Sequence, residues 1–317
     1  MSGWRAAVRA RGRPDLPRRD GPRARVLTEE DVAEALRVCA LDPVTAVLAA
    51  SRLELAARAG LAAAGGQAWG FPAQGPLQAV CWSGANLVPV VPGTVAGSDA
   101  EDAIEAFAGL ARVQGRRSSS IVGERTAALA LWKHLSSVWP AAREVRDDQP
   151  SLAIDRDPDV APDPQVRRAA LDDLDVVLPA CVRMFAEEVG YAPVATPGSA
   201  YALRVRSLVA EGRAFVHLEP RGRAVPAPVV SRGPLVAFKA ELGAVAGGVA
   251  QVQGVWVAPA LRGRGLAAPG MAAVVTAARR DVAPVVSLYV NAYNAPALAT
   301  YRRVGFEQVG TFATVLF

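Results

Sequence analysis

Two arginines, two glycines and an acid-free helix start stand together in "VAPALRGRGLAAPGMAAVV", residues 257–275. Arg262 and Arg264 carry planar forks of N–H donors that match phosphate oxygens. Gly263 and Gly265, alternating with them, let the backbone approach a ligand with no Cβ in the way. Met271, Val274, Val275 and Ala278 follow at i, i+3, i+4 and i+7, the spacing of one buried helix face. A strand, a glycine loop and a helix N-terminus together form an anion site, because unpaired N–H groups and the helix dipole point at the ligand. No Asp or Glu occurs between Glu241 and Asp281 to repel a pyrophosphate.

Two identities compete for that anion. "GRGLAA" comes close to the G-x-G-x-x-G/A fingerprint of a dinucleotide fold, a weak match when alone. In that fold the glycines follow the strand almost at once, and the next strand ends in an acid for the ribose. Here a five-residue spacer intervenes and "VVSLYVN" ends in Asn291, so the dinucleotide reading fails twice.

The second identity rests on R-x-x-G-x-A, present as Arg262, Gly263, Arg264, Gly265, Leu266 and Ala267 directly after a strand ending V-x-V-x-P. This resembles the acyl-CoA pyrophosphate loop of the GNAT superfamily of N-acetyltransferases. "NAPALATYRRVGF", residues 294–306, resembles the same family's N-x-x-A-x-x-x-Y-x-x-x-G-F helix and following strand. The resemblance implies acetyl-CoA as co-substrate, bound with no metal, and a primary amine of a small molecule or peptide as acceptor. It implies that residues 262–267 cradle the pyrophosphate and that Val255 and Val257 offer backbone groups to the pantetheine arm and acetyl carbonyl. Donors fixed in that way stabilise a developing oxyanion. Trp256, between those valines, and Asn294 are counted with them as cofactor-binding, the Trp256 side chain being either core or a wall of the acceptor cleft. Asn294 and Tyr301 are seven apart, two helical turns, so both are expected to face one cleft. Tyr301 matches the family's general acid, and a phenol of ordinary pKa about 10 suits protonation of a departing thiolate.

One departure stands out. Family members often carry a basic Glu on the central strand, whereas "GGVAQVQGVWV" offers only Gln251 and Gln253. Glu241, Glu219, Glu187, Glu188 or a water chain remain as candidates for the base. A CoA-binding regulatory or scaffold protein without turnover is therefore the alternative reading.

The elements that must position these residues come in a repeated order. From about residue 165 the periodicity predicts two helices, three strands, helix, strand, helix, strand, and residues 26–155 show the same order. The Pro- and Asp-rich "DRDPDVAPDPQ" between them reads as a linker. The expected fold class is α/β (α+β), two tandem GNAT-like domains, each a mixed, mostly antiparallel sheet flanked by helices. The expected division is a disordered basic tail over 1–25, a degenerate domain over 26–155, a linker over 156–164 and a catalytic domain over 165–317. In the first half the place of the phosphate loop is taken by "VVPGTVAGSDAEDAIEAF". Ser98 and Glu101 are expected to form a capping box, and Asp99, Glu101 and Asp102 put negative charge at the helix start. This half is expected to bind no CoA and to contribute to the acceptor site or an interdomain surface.

Composition narrows the class further. The chain is 317 residues long, 51% hydrophobic and 21% charged, with no apolar run of membrane-spanning length, so no membrane partner is expected. The net charge of +5 resides largely in the first 25 residues, which hold eight arginines against Asp15 and Asp20. No nucleic-acid footprint on the folded part follows. Cys39, Cys81 and Cys181 are isolated, which points to a cytoplasmic protein without disulfides or a zinc site. His134 and His217 are the only histidines, and both read as structural or exposed. A monomer or homodimer is expected.

Overall fold

The computed structural model describes residues 23–95, 97–220 and 234–317. The arginine-rich segment read as a disordered tail lies, through residue 22, outside the described residues. The first half consists of β1 (Arg25–Val26), α1 (Val32–Cys39), α2 (Pro43–Ala59), α3 (Leu61–Ala64), β2 (Gln67–Phe71), β3 (Ala79–Ser83) and β4 (Asn86–Val90). It continues with α4 (Ser98–Gln114), β5 (Ser120–Glu124), α5 (Arg125–Leu135) and β6 (Glu144–Ile154). The second half repeats the order as β7 (Arg167–Arg168), α6 (Leu174–Val189), α7 (Ala200–Ala210), β8 (Ala214–Glu219), β9 (Leu235–Ala246) and β10 (Val249–Val257). It ends with α8 (Ala267–Asp281), β11 (Val285–Tyr289), α9 (Ala295–Val304) and β12 (Glu307–Leu316).

The described strands form one mixed, mostly antiparallel sheet in the order β1-β2-β3-β4-β5-β12-β6-β11-β10-β9-β8-β7. The two halves exchange their last strands. β6 pairs with β11, Ser151 opposite Tyr289, while β12 pairs with β5, Phe312 opposite Glu124. β6 and β12 also pair with each other at the centre. Leu152 and Ile154 of β6 enter the core around Met271 and Val275, and Ala313 and Val315 of β12 enter the core around Phe107 and Leu131. Each unit's sheet is completed by the other's strand, so residues 144–154 belong in space to the second unit's sheet although they precede the linker.

Alternation along the strands gives the second unit two faces. One packs on α8 and α9, where Met271, Val274, Val275 and Ala278 are wholly buried, as their spacing predicts. Burial of Met271, Val274 and Val275 contributes about 1.5–3 kcal/mol each. Gly270 allows this approach, since a Cβ there would stand 2.8 Å from the Phe238 ring. The opposite face packs on α6 and α7, and α2 of the first half lies over its β9–β10 end, burying Ala244, Ala246 and Val249.

Candidate active site

β10 and β11 run parallel only from Val249 to Gln251 and from Val285 to Ser287. Beyond that β10 pairs with β9 alone and β11 with β6 alone, so the sheet opens between Val252–Val257 and Leu288–Tyr289. On β10, Gln253 stands opposite Glu241 and Trp256 opposite Lys239, leaving Gly254 and Val255 against the single residue Ala240. This is a β-bulge, and Gly254, at φ +59°, supplies the conformation it requires. A side chain there would meet Lys239 Nζ and Met184 Sδ, each at 3.2 Å.

The bulge is held from beneath by charge. Lys239, 1% exposed, donates from Nζ to the Gly254 carbonyl at 3.0 Å and pairs with Glu241 Oε1 at 2.7 Å. Cys181 Sγ also donates to Glu241 Oε1 at 3.2 Å. Burial opposes both charges, but the partner charge and the contacts to Cys181, with Arg204 adding to the effect on Glu241, together outweigh it and hold Lys239 above and Glu241 below their ordinary ranges. The sequence signal for this cluster was available: one of only two lysines in an arginine-rich chain sits in "VAFKAEL", two residues from an acid and therefore on its face.

After β10 the chain makes a short turn over Pro259–Leu261 and enters the arginine-glycine loop. Gly263 and Gly265 have φ of +77° and +79°, with open space where a Cβ would stand. Leu266 precedes α8 without a side-chain cap, and no acid lies in the first turn. Among the described residues the N–H groups of Gly263, Arg264, Gly265 and Leu266 find no acceptor, which leaves them open. The same point of the first half is different. Asp99 and Glu101 occupy the first turn of α4, but Ser98 is already helical and Gly97 is the cap, with no side-chain bond. The Ser98–Glu101 capping box therefore does not form, while the negative charge expected there does.

Arg262 reaches back, donating from Nε to the Val257 carbonyl at 3.1 Å and from Nη2 to Glu187. Trp256 is core: 5% exposed, packed with Ala180, Ala237 and Leu261, its Nε1 donating to Glu187 Oε2 at 3.2 Å. Val255 and Val257 are half-buried and lean to the opposite, α8 face.

The residues of α9 show why its motif has that spelling. Asn294 Oδ1 caps the helix by accepting from Ala297 N at 3.2 Å, Pro296 sits in the first turn, and Gly305 ends the helix at φ +108°. Asn294 thus lies outside the helix with its side chain folded onto the first turn, whereas Tyr301 is buried at 7% exposure against Phe306. The seven-residue spacing does not bring the two side chains to one point. Burial, and after it the charge of Glu188, holds the Tyr301 phenol well above its ordinary value, so it remains protonated.

The four carboxylates left open by the sequence separate clearly. Glu241 is sealed in its pair with Lys239, and Glu187 is held by Arg262 and Trp256. Glu219 ends β8, half-buried opposite Leu235. Glu188 is half exposed, 3.6 Å from Arg146 Nη1 of β6, and its charge reaches Tyr201, Tyr289 and Tyr301. Arg146 also donates from Nη2 to the Glu188 carbonyl at 2.9 Å, so the exchanged strand fixes the end of α6 beside the opening. Among the described residues no group of His, Cys, Asp and Glu is arranged to hold a metal ion, and no helix is long and apolar enough to cross a membrane.

Residues 223–306 match the acetyltransferase (GNAT) family, and residues 66–177 match a domain of unknown function (DUF4081). No curated protein matches the chain. Among solved structures, a GCN5-related N-acetyltransferase from Sphaerobacter thermophilus is similar at 18% identity and TM-score 0.54, covering 92% of this chain and 95% of that one. A tandem GNAT protein from the clavulanic acid biosynthesis pathway is similar at 15% identity and TM-score 0.52, covering 92% and 98%. A GNAT-family acetyltransferase from Colwellia psychrerythraea is similar at 11% identity and TM-score 0.52, covering 93% and 99%. The opened sheet, the bare N–H loop and the capped α9 therefore belong to a chain of two units of GNAT-like fold, the second of which carries the segment that matches the GNAT acetyltransferase family.

Proposed function

We propose that the second half transfers an acetyl group from acetyl-CoA to a primary amine by direct attack. The opening between β10 and β11 carries this reading: Tyr301 belongs to the core on the α8 face, which Val255 and Val257 adjoin, and Glu188 stands at the end of α6 on the other face. The free N–H groups of residues 263–266 and the open glycines 263 and 265 support a pyrophosphate cradle over residues 262–267. Arg262 and Arg264 add charge to that cradle, and Arg262 exchanges Glu187 for the ligand. Backbone groups of Val255 and Val257 meet the pantetheine arm and the acetyl carbonyl.

In the reaction, Glu188 takes the proton of the attacking amine and Tyr301 gives one to the thiolate that leaves, so charge and protons balance. The N–H groups of the bulge, fixed by Lys239 through the Gly254 carbonyl, receive the charge that develops on the acetyl oxygen. The first half binds no CoA in this reading, since Asp99 and Glu101 oppose an anion at the equivalent helix. Thiol release from acetyl-CoA over a panel of primary amines tests the proposal. Amine-dependent release is expected; CoA binding with no turnover on any amine would favour a regulatory module instead.

A further inference from the structure

The face of the sheet on which Glu188 stands carries an unneutralised basic cluster built from both halves. Arg204 of α7 donates from Nη2 to Gln253 Oε1 at 3.4 Å, and Gln253 Nε2 donates to Gln251 Oε1 at 3.2 Å. Gly243 makes room for this stack, because a Cβ there would stand 2.2 Å from Gln253 Oε1. Beside it, Arg213 accepts at its carbonyl from Leu242 N at 2.8 Å, which places its backbone next to Gly243, the extra residue of β9 between Leu242 and Ala244. Arg52 comes from the first half, on the helix that lies over the β9–β10 end.

These charges repel one another. Burial and then the Arg204 charge hold the Arg52 guanidinium below its ordinary value, and Arg213 is lowered by burial and then by Arg204, Arg52 and Arg58. All remain cationic. Arg213 has Glu211 and Arg58 has Glu54. Arg52 and Arg204 have no carboxylate within 4 Å among the described residues; the acid on which the Arg204 charge is felt, Glu241, is already paired with Lys239. The floor nearby is polar as well. Ser287, paired with Gln251 across the parallel register, is wholly buried on this face with its Oγ unpartnered. Buried polar atoms are normally satisfied, and this orphan lies one strand from the Gln251–Gln253 stack that Arg204 joins, so the polar face has capacity left for a ligand.

We propose, resting on the amine-acetylation reading above, that Arg52 and Arg204 receive an anionic group of the acceptor. The preferred acceptor is then a primary amine bearing a carboxylate or phosphate several bonds from its nitrogen. The spacing follows from the strand: Gln253, which holds Arg204, precedes Val255 by about 5 Å along β10, the bulge shortening the regular rise. Glu188 attracts the ammonium and the arginines the anion, so the cleft is complementary to both ends of such a molecule. The first half thereby contributes a specificity residue to a site whose donor machinery lies in the second.

Isothermal titration of the full chain loaded with CoA, using δ-aminovalerate, aminobutyl phosphate and the neutral δ-aminovaleramide, tests this. The anionic amines are expected to bind at least about tenfold more tightly than the amide, and the tighter of the two identifies the anion. Arg52→Gln and Arg204→Gln should each remove most of that preference while leaving CoA affinity unchanged and melting temperature no lower, since each relieves like-charge repulsion. Equal binding of the amide, no binding of either anionic amine, or a preference that survives in the double variant would overturn the inference. Binding without acetylation would sink the transfer reading and leave the subsite standing. If CoA itself fails to bind, the same titrations on the unloaded chain decide the subsite.

Discussion

Lys239 and Glu241, alternate residues of β9, form an ion pair 2.7 Å apart beneath the bulge of β10, with 1% and 8% of their surfaces exposed. A pair so deeply placed gives little net stability when whole, but removing one partner strands a charge in the core. Lys239→Met is expected to cost about 3–5 kcal/mol in denaturant unfolding. Lys239→Met with Glu241→Leu should recover most of that loss. If the double variant is no more stable than the single one, the cost lies in the contact to Gly254 and not in the orphaned carboxylate.

The same pair fixes a pH window. Glu241 is depressed in the fold, so its contribution is present above the ordinary carboxylate range and lost as pH falls through its folded value. Lys239 is raised, so its contribution is present below the ordinary lysine range and lost as pH rises through its folded value. The difference in unfolding free energy between the native chain and the double variant should therefore be flat near neutrality. It should change in the native chain's disfavour at both extremes. A difference that is independent of pH throughout would contradict the pairing.

Glu187 occupies Arg262 before any ligand arrives. Both side chains are about half exposed, 41% and 51%, so the bridge is a weak one. Glu187→Gln should free the guanidinium for the pyrophosphate and tighten CoA binding by up to about fivefold, read by calorimetry. Weaker binding would show that Glu187 orients Arg262 productively instead of competing for it.

Tyr301→Phe keeps the ring against Phe306 and removes only the hydroxyl. An acetyl-transfer rate lowered by about a hundredfold or more is expected, with CoA affinity retained. Because the phenol is held above its ordinary value, activity should not fall through its ionisation as pH approaches the ordinary tyrosine range. An unchanged kcat in the variant would remove Tyr301 from the mechanism.

The exchange of β6 and β12 makes the halves interdependent. Cutting the chain between Asp159 and Val160 should give fragments that copurify as an equimolar complex, because each carries a strand that fills the other's core. Two fragments that purify separately, each folded and monomeric, would show that the exchange is dispensable.

Much of this was legible in the residues. Local rules suffice for the order of elements in both halves, the buried face of Met271, Val274, Val275 and Ala278, the open glycines 263 and 265, and the acid-free start of α8, since each depends on neighbours a few positions away. The strand exchange was not legible. β6 and β12 each end their half with similar apolar alternation, and only the match of Leu152 and Ile154 to one core, and of Ala313 and Val315 to the other, decides where each strand lies. The fates of Glu187, Glu188 and Glu241 were equally hidden, because three identical side chains differ only in the partners that folding brings to them. Arg52 and Arg204 stand on opposite sides of the linker, and a cluster of like charge has no local signature. The sequence by itself determined the arginine-glycine loop and the helix bearing Tyr301; tertiary structure alone decided which carboxylate stands beside the opening and which arginines gather without an ion-pair partner, because charge acts through space and not along the chain.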